Sequence, residues 1–184
     1  YMDNLLLNNL NFKKTKSVPI WLMRQAGRYM NEYHVIKNKF NNFLEMCKNE
    51  EALIEITLQP IKKFDFDAAI IFSDILIILD AINIKVDFIS GKGPVVDNFR
   101  SLKNIKLLPK YLDKKKVDPC YNAIKNIKKE LTNKPLIGFA AAPWTLAAYY
   151  IEGNLTKDLS IIKSLCYKNP EKMDFIINMF SDLI

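Results

Sequence analysis

Three continuous apolar runs of strand length, each closed at once by a polar cluster, constrain the fold of this chain more than any other feature. Val18 to Met23 leads into Arg24–Arg28, Ala68 to Phe72 into Ser73-Asp74, and Pro135 to Ala140 into Ala142-Pro143-Trp144 and on to Tyr149. A strand that is apolar on both faces belongs in a sheet covered on both sides, and such sheets are parallel with helices between their strands. The intervening segments do carry helical spacing. A leading helix is predicted in the first dozen residues, then helices over Glu32–Phe40, Glu50–Phe66 (interrupted or kinked at Pro60) and Ile75–Ile82. Residues 100–132 read as mostly helical with breaks near Pro109 and Pro119, and helices follow over Pro143–Glu152, 156–167 and 170–184. Lys85–Ile89 reads as extended and Gly91-Lys92-Gly93-Pro94 as a turn.

Parallel α/β sheets, open or closed into a (β/α)8 barrel, bind ligands at the carboxyl ends of their strands. The three polar clusters fall at those ends. A closed barrel typically needs about 250 residues, whereas this chain has 184. The expectation is about the first half of a (β/α)8 barrel, residues 1–184 forming the N-terminal part of one domain. Open strand edges and apolar surface are expected on such a half, which on its own should be unstable or aggregate.

Bulk properties narrow the function classes. A 49% hydrophobic and 26% charged composition supports a globular core. The most apolar stretch, Ala68–Ile84, is broken by Asp74 and Asp80, so no membrane span is predicted. No signal peptide opens the chain, which reads as soluble. The net charge of +7 comes from scattered lysines rather than a stripe, so no nucleic-acid partner is expected. Cys47, Cys120 and Cys166 lie far apart without a CxxC pair, and His34 is the sole histidine. No metal site is predicted from that set, and His34 is expected at the surface.

Only Arg24, Arg28 and Arg100 among the 27 basic residues are arginine, and two of them sit in MRQAGRY, residues 23–29. Four apart, they would repel if the segment were helical. An anion between them would reverse the sign, and guanidinium presents a fixed fork matched to carboxylate or phosphate. Gly27 permits positive φ or close backbone approach. The competing structural role is an ion pair to a nearby carboxylate such as Glu32. Asp74 has two readings of equal weight: part of an N-cap with Ser73, or a carboxylate turned toward a ligand N–H or a developing cation. Tyr149 and Trp144 by themselves read as core residues with a satisfied rim.

WLMRQAGRYMNEY (21–33), ITLQPIKKFDFDAAIIFSDIL (56–76), GKGP (91–94) and LIGFAAAPWTLAAYYIEG (136–153) together resemble, in order, the uroporphyrinogen decarboxylase family of haem and chlorophyll biosynthesis. The resemblance implies a cofactor-free (β/α)8 barrel, usually a homodimer. Its activity is removal of four acetate carboxyl groups from uroporphyrinogen, a poly-carboxylate tetrapyrrole, to give coproporphyrinogen. It implies that Arg24 and Arg28 bind substrate carboxylates, one also able to donate a proton. Asp74 would hold the pyrrole N–H groups, and Tyr149 would hydrogen-bond near the reacting acetate. Gln25, Ala26, Gly27 and Lys37, the last replacing an arginine common in the family, would line the site. The family is cytoplasmic in many organisms and plastid-resident in some.

Departures are Asn31 in place of a usual Pro, Ala141 in place of a Gly, and Asn154-Leu155 in place of a Gly pair. The family's active-site serine and histidine belong to the second half of the barrel. A non-catalytic porphyrinogen- or anion-binding protein that keeps Arg24, Arg28 and Asp74 is the alternative reading. Corrinoid-linked methyltransferases share the barrel but use zinc, for which the sequence offers no ligand spacing.

Overall fold

The computed structural model describes residues 4–89, 91–97, 111–154 and 157–184. Arg100, the expected break at Pro109 and Leu155 lie outside the described residues. The chain divides into two compact units, Tyr1–Asp74 with Asp118–Phe139, and Ile75–Val117 with Ala140–Ile184.

The first unit holds α1 (Leu5–Leu10), α2 (Asn31–Lys37), α3 (Phe43–Cys47), α4 (Glu50–Phe64) and β1 (Ala69–Ile70). Its elements continue, after α5, β2 and β3 of the second unit, with most of α6 (Lys114–Glu130) and with β4 (Leu136–Ile137). Asparagine, abundant throughout, starts three of these helices. Asn4, Asn42 and Asn49 each accept a backbone N–H from the first turn of α1, α3 and α4, which satisfies one of the orphan donors of a helix start. In α4, Glu50 and Glu51 lie in the first turn and Lys62 and Lys63 in the last, the arrangement the helix dipole favours. Pro60 sits inside α4 and Pro119 inside α6, and both helices run on past them.

Helix α4 organises this unit because it is buried on two faces. Ala52 and Ile56 join Met30, Tyr33, Ile36 and Met46 in one cluster. Leu53 and Leu58 join Ile71 and the α6 residues Ala123 and Ile127 in another. Phe72 packs against both clusters, meeting Tyr33 and Phe43 edge-on at centroid distances of 5.9 and 5.8 Å. Each fully buried large side chain here contributes about 1.5–3 kcal/mol relative to exposure.

β1 and β4 pair in parallel, Ala69 opposite Leu136 and Ile70 opposite Ile137. Two of the predicted strands are therefore present, shorter than the apolar runs that announced them. The third is not. Val18–Met23 forms no strand, and Val18, Ile20 and Met23 are 79, 58 and 72% exposed. The segment is tied down by its backbone rather than its side chains. Ile20 N–H donates to Asp67 Oδ2 at 2.7 Å, and Asp67 N–H returns to the Ile20 carbonyl at 2.9 Å.

The second unit holds α5 (Ile77–Ala81), a hairpin of β2 (Val86–Ile89) and β3 (Gly93–Val96), α7 (Pro143–Glu152), α8 (Ser160–Lys168) and α9 (Pro170–Leu183). The hairpin is antiparallel, and the predicted Gly91–Pro94 turn is shifted, with Gly93 and Pro94 already in β3. On α9, Met173, Ile176, Phe180 and Leu183 are buried at helical spacing, and Phe180 meets Tyr150 of α7 edge-on at 6.2 Å. Val96 N–H donates to the Gly153 carbonyl at 2.6 Å, joining the hairpin to the end of α7. No helix among the described residues is long and apolar enough to cross a membrane.

Candidate functional site

The arginine-bearing segment is an irregular loop, not a helix, so the two guanidiniums do not share a helical face. A dense set of local bonds nevertheless determines its shape. Gln25 is completely buried. Its Oε1 accepts the Leu22 N–H at 3.1 Å and its Nε2 donates to the Ala68 carbonyl at 3.0 Å, immediately before β1. Gln25 N–H donates to the Leu22 carbonyl at 3.1 Å, and Met30 N–H to the Gly27 carbonyl at 3.0 Å. The Tyr29 hydroxyl donates to the Gln25 carbonyl, its ring lying against Phe64. Gly27 has φ +150°, a conformation that L side chains rarely adopt, although a Cβ there would meet open space. Backbone geometry, not crowding, is what requires glycine.

From this pinned loop Arg24 and Arg28 reach into solvent. Glu32, the carboxylate expected to compete for one of them, pairs instead with Lys63, Nζ lying 2.7 Å from Oε1. That bond holds the Glu32 carboxyl below its ordinary range. Burial pushes the Tyr33 phenol up, while the charge of Arg28 pulls it partly back, so Arg28 acts electrostatically on the start of α2. Ala26 packs against the core cluster of α2 and α4. Lys37, the last residue of α2, is exposed.

Asp74 is half-buried, four residues beyond β1. The N-cap reading of Ser73 and Asp74 does not hold, because α5 begins only at Ile77 and its N-cap, Leu76, offers no side-chain bond. Ser73 Oγ instead accepts a weak bond from Cys120 Sγ at 3.9 Å. The strand exit is steadied by fully buried Thr57, whose Oγ1 accepts the Phe72 N–H at 3.0 Å. Burial, then the negative charge of Asp74, raises the Cys47 thiol strongly, which puts that thiol within electrostatic reach of Asp74 and keeps it protonated.

Arg24, Gln25, Ala26, Gly27, Arg28, Lys37 and Asp74 thus all belong to the first unit, with both the arginine loop and Asp74 anchored on the β1 segment. Tyr149 belongs to the second unit, half-buried on α7. Two further polar residues shape these segments, His34, which the sequence places at the surface, and Glu152, which it does not single out. His34 is half-buried and its Nε2 bonds the Arg28 carbonyl at 2.7 Å. Glu152, buried at the end of α7, accepts the N–H groups of Ile161 and Ile162 at 2.9 Å each, capping α8 where Leu159 supplies no side-chain bond. Among the described residues no three His, Cys, Asp or Glu side chains converge as a metal-binding group.

Comparison with known proteins agrees with this architecture. A solved methyltransferase from Methanosarcina mazei superposes with a TM-score of 0.67 over 97% of this chain and 51% of its own, at 13% identity. That likeness concerns the fold alone, an α/β chain forming about half of a (β/α)8 barrel. Uroporphyrinogen decarboxylase from Francisella philomiragia is 41% identical over 184 residues, 99% of this chain and 53% of its own length. The enzyme of the same name from Ruthia magnifica is 44% identical over 180 residues, 97% of this chain and 52% of its own. The chain therefore spans about half the length of the curated relatives it matches. The family model for uroporphyrinogen decarboxylase (URO-D) matches residues 2–184, and the chain belongs to that family.

Proposed function

We propose that the protein carrying this sequence is a carboxy-lyase that decarboxylates the four acetate side chains of uroporphyrinogen. The observation that carries the reading is the pair Arg24 and Arg28, exposed on a loop locked to the β1 segment while Glu32, the acidic candidate four residues on, is occupied by Lys63. Two exposed guanidiniums on one anchored loop suit a substrate bearing many carboxylates.

The chemistry asks for an electron sink. Breaking the bond between the acetate methylene and its carboxyl carbon releases CO2 and leaves an electron pair on that methylene. A pyrrole ring protonated beforehand accepts the pair; a proton then added to the methylene completes the methyl group, and loss of the proton first placed on the ring restores the neutral pyrrole. An ionised Asp74 beside the pyrrole N–H groups favours the cationic ring before the bond breaks. Arg24 and Arg28 bind carboxylates and orient the acetate, with Gln25, Ala26 and Gly27 shaping the loop and Lys37 adding charge near it. Tyr149 is assigned a hydrogen bond near the reacting acetate by family resemblance. A homodimer in the cytoplasm is the assembly and compartment proposed on the same ground.

Anaerobic turnover of uroporphyrinogen, followed by CO2 release and loss of carboxyl groups, tests the reading, with Asp74→Asn as control. Turnover that falls at least about 100-fold in Asp74→Asn supports it, the scale at which electrostatic stabilisers act. Tight porphyrinogen binding without CO2 release would instead identify a binding protein.

A further inference from the structure

We propose that His34 is a positioning residue for Arg28, holding the backbone from which the arginine side chain leaves the loop toward a substrate carboxylate. A peptide unit is planar, so the direction in which a side chain leaves the backbone, its Cα–Cβ bond, is settled once the two peptide planes flanking its Cα are fixed. Before Arg28, the Gly27 carbonyl accepts the Met30 N–H at 3.0 Å. After it, the Arg28 carbonyl accepts from His34 Nε2 at 2.7 Å. Both planes are held, the second by a side chain. The carbonyl can only accept, so Nε2 must carry the proton, and in the neutral imidazole Nδ1 is then bare. The ring is itself braced, lying edge-on to buried Tyr33 at 5.7 Å. Arg24 is held differently, through the Gln25 N–H bond to Leu22 and the buried Gln25 side chain. His34 is therefore specific to one of the two arginines.

The role in substrate binding rests on the decarboxylase reading above, and the test separates the two. In the native protein, KM and kcat for anaerobic uroporphyrinogen turnover are compared for wild type, His34→Leu, His34→Gln and His34→Asn. Leu removes the donor, and KM should rise about five-fold or more with kcat within about two-fold, the scale of one lost hydrogen bond. The Gln amide nitrogen lies at about the reach of Nε2 and should restore KM, whereas the shorter Asn should not. The Leu change should add nothing in an Arg28→Lys background and its full effect in an Arg24→Lys background, a pattern general destabilisation would not produce. An unchanged KM in His34→Leu, or equal effects in both arginine backgrounds, overturns the proposal. Nitrogen NMR at about pH 8.5, where an ordinary histidine is neutral, reads the tautomer directly. A protonated Nδ1 overturns the proposal whatever the kinetics. Should wild type show no turnover, the decarboxylase reading falls, and positioning is then decided by the tautomer and by the same variants' affinity for oxidised uroporphyrin.

Discussion

Lys63 Nζ lies 2.7 Å from Glu32 Oε1 and takes the carboxylate that stands four residues after Arg28. Between exposed side chains such a pair adds little stability. Its consequence is for the arginine loop: Glu32 is engaged by Lys63 and does not pair with Arg28, which stays exposed.

Replacing Arg24 or Arg28 with Lys keeps the charge and removes the planar fork. Each charge-assisted hydrogen bond is worth about 1.5–3 kcal/mol, so affinity for a poly-carboxylate porphyrin should fall about ten-fold or more in either variant. Fluorescence titration measures it, and unchanged affinity in both variants would remove the anion-site reading.

Gln25 is buried with both ends of its amide bonded. Gln25→Leu leaves the Ala68 carbonyl and the Leu22 N–H without partners, at a cost of about 1–3 kcal/mol. Chemical denaturation should show a lower midpoint with unchanged slope. An unaltered midpoint would mean that the loop is not held through this side chain.

Glu152 supplies the cap that Leu159 cannot. Glu152→Leu should cost about 2 kcal/mol, in the range of a lost N-cap with buried donors. Glu152→Gln keeps an acceptor oxygen and should lose less than half of that. Equal losses in the two variants would place the cost in packing rather than in the two N–H bonds.

Acid should act on the Glu32–Lys63 pair with a definite sign. The bond lowers the folded-state pKa of Glu32 below its ordinary 4.5, so over that interval the unfolded chain binds more protons. The stabilisation is present above the ordinary value and is lost as pH falls through the folded one. Lys63→Met should therefore flatten the acid limb of the stability curve below about pH 5, and salt should shrink the difference. Denaturation midpoints across that range, at low and high salt, measure it, and parallel acid limbs would contradict the assignment.

What the sequence determined by itself is local. Ala68–Phe72 and Pro135–Ala140 read as buried parallel strands because apolar residues in a row suit a sheet covered on both faces; Ala69–Ile70 and Leu136–Ile137 within them do pair in parallel, with the first strand buried and the second half-buried. The MRQAGRY loop stood out because arginine is rare here, and Gly27 marked a backbone that only glycine adopts easily. Tertiary structure decided the rest. Val18–Met23 is as apolar as the runs that became strands, but burial depends on what covers a segment, and these side chains are exposed. Gln25 meets Ala68 across 43 residues, Lys63 meets Glu32 across 31, and Glu152 caps a helix nine residues on. Propensity and periodicity act over a few residues of chain. The choice of partner for a polar side chain is made only when packing brings distant segments together and leaves a donor or acceptor that must be satisfied.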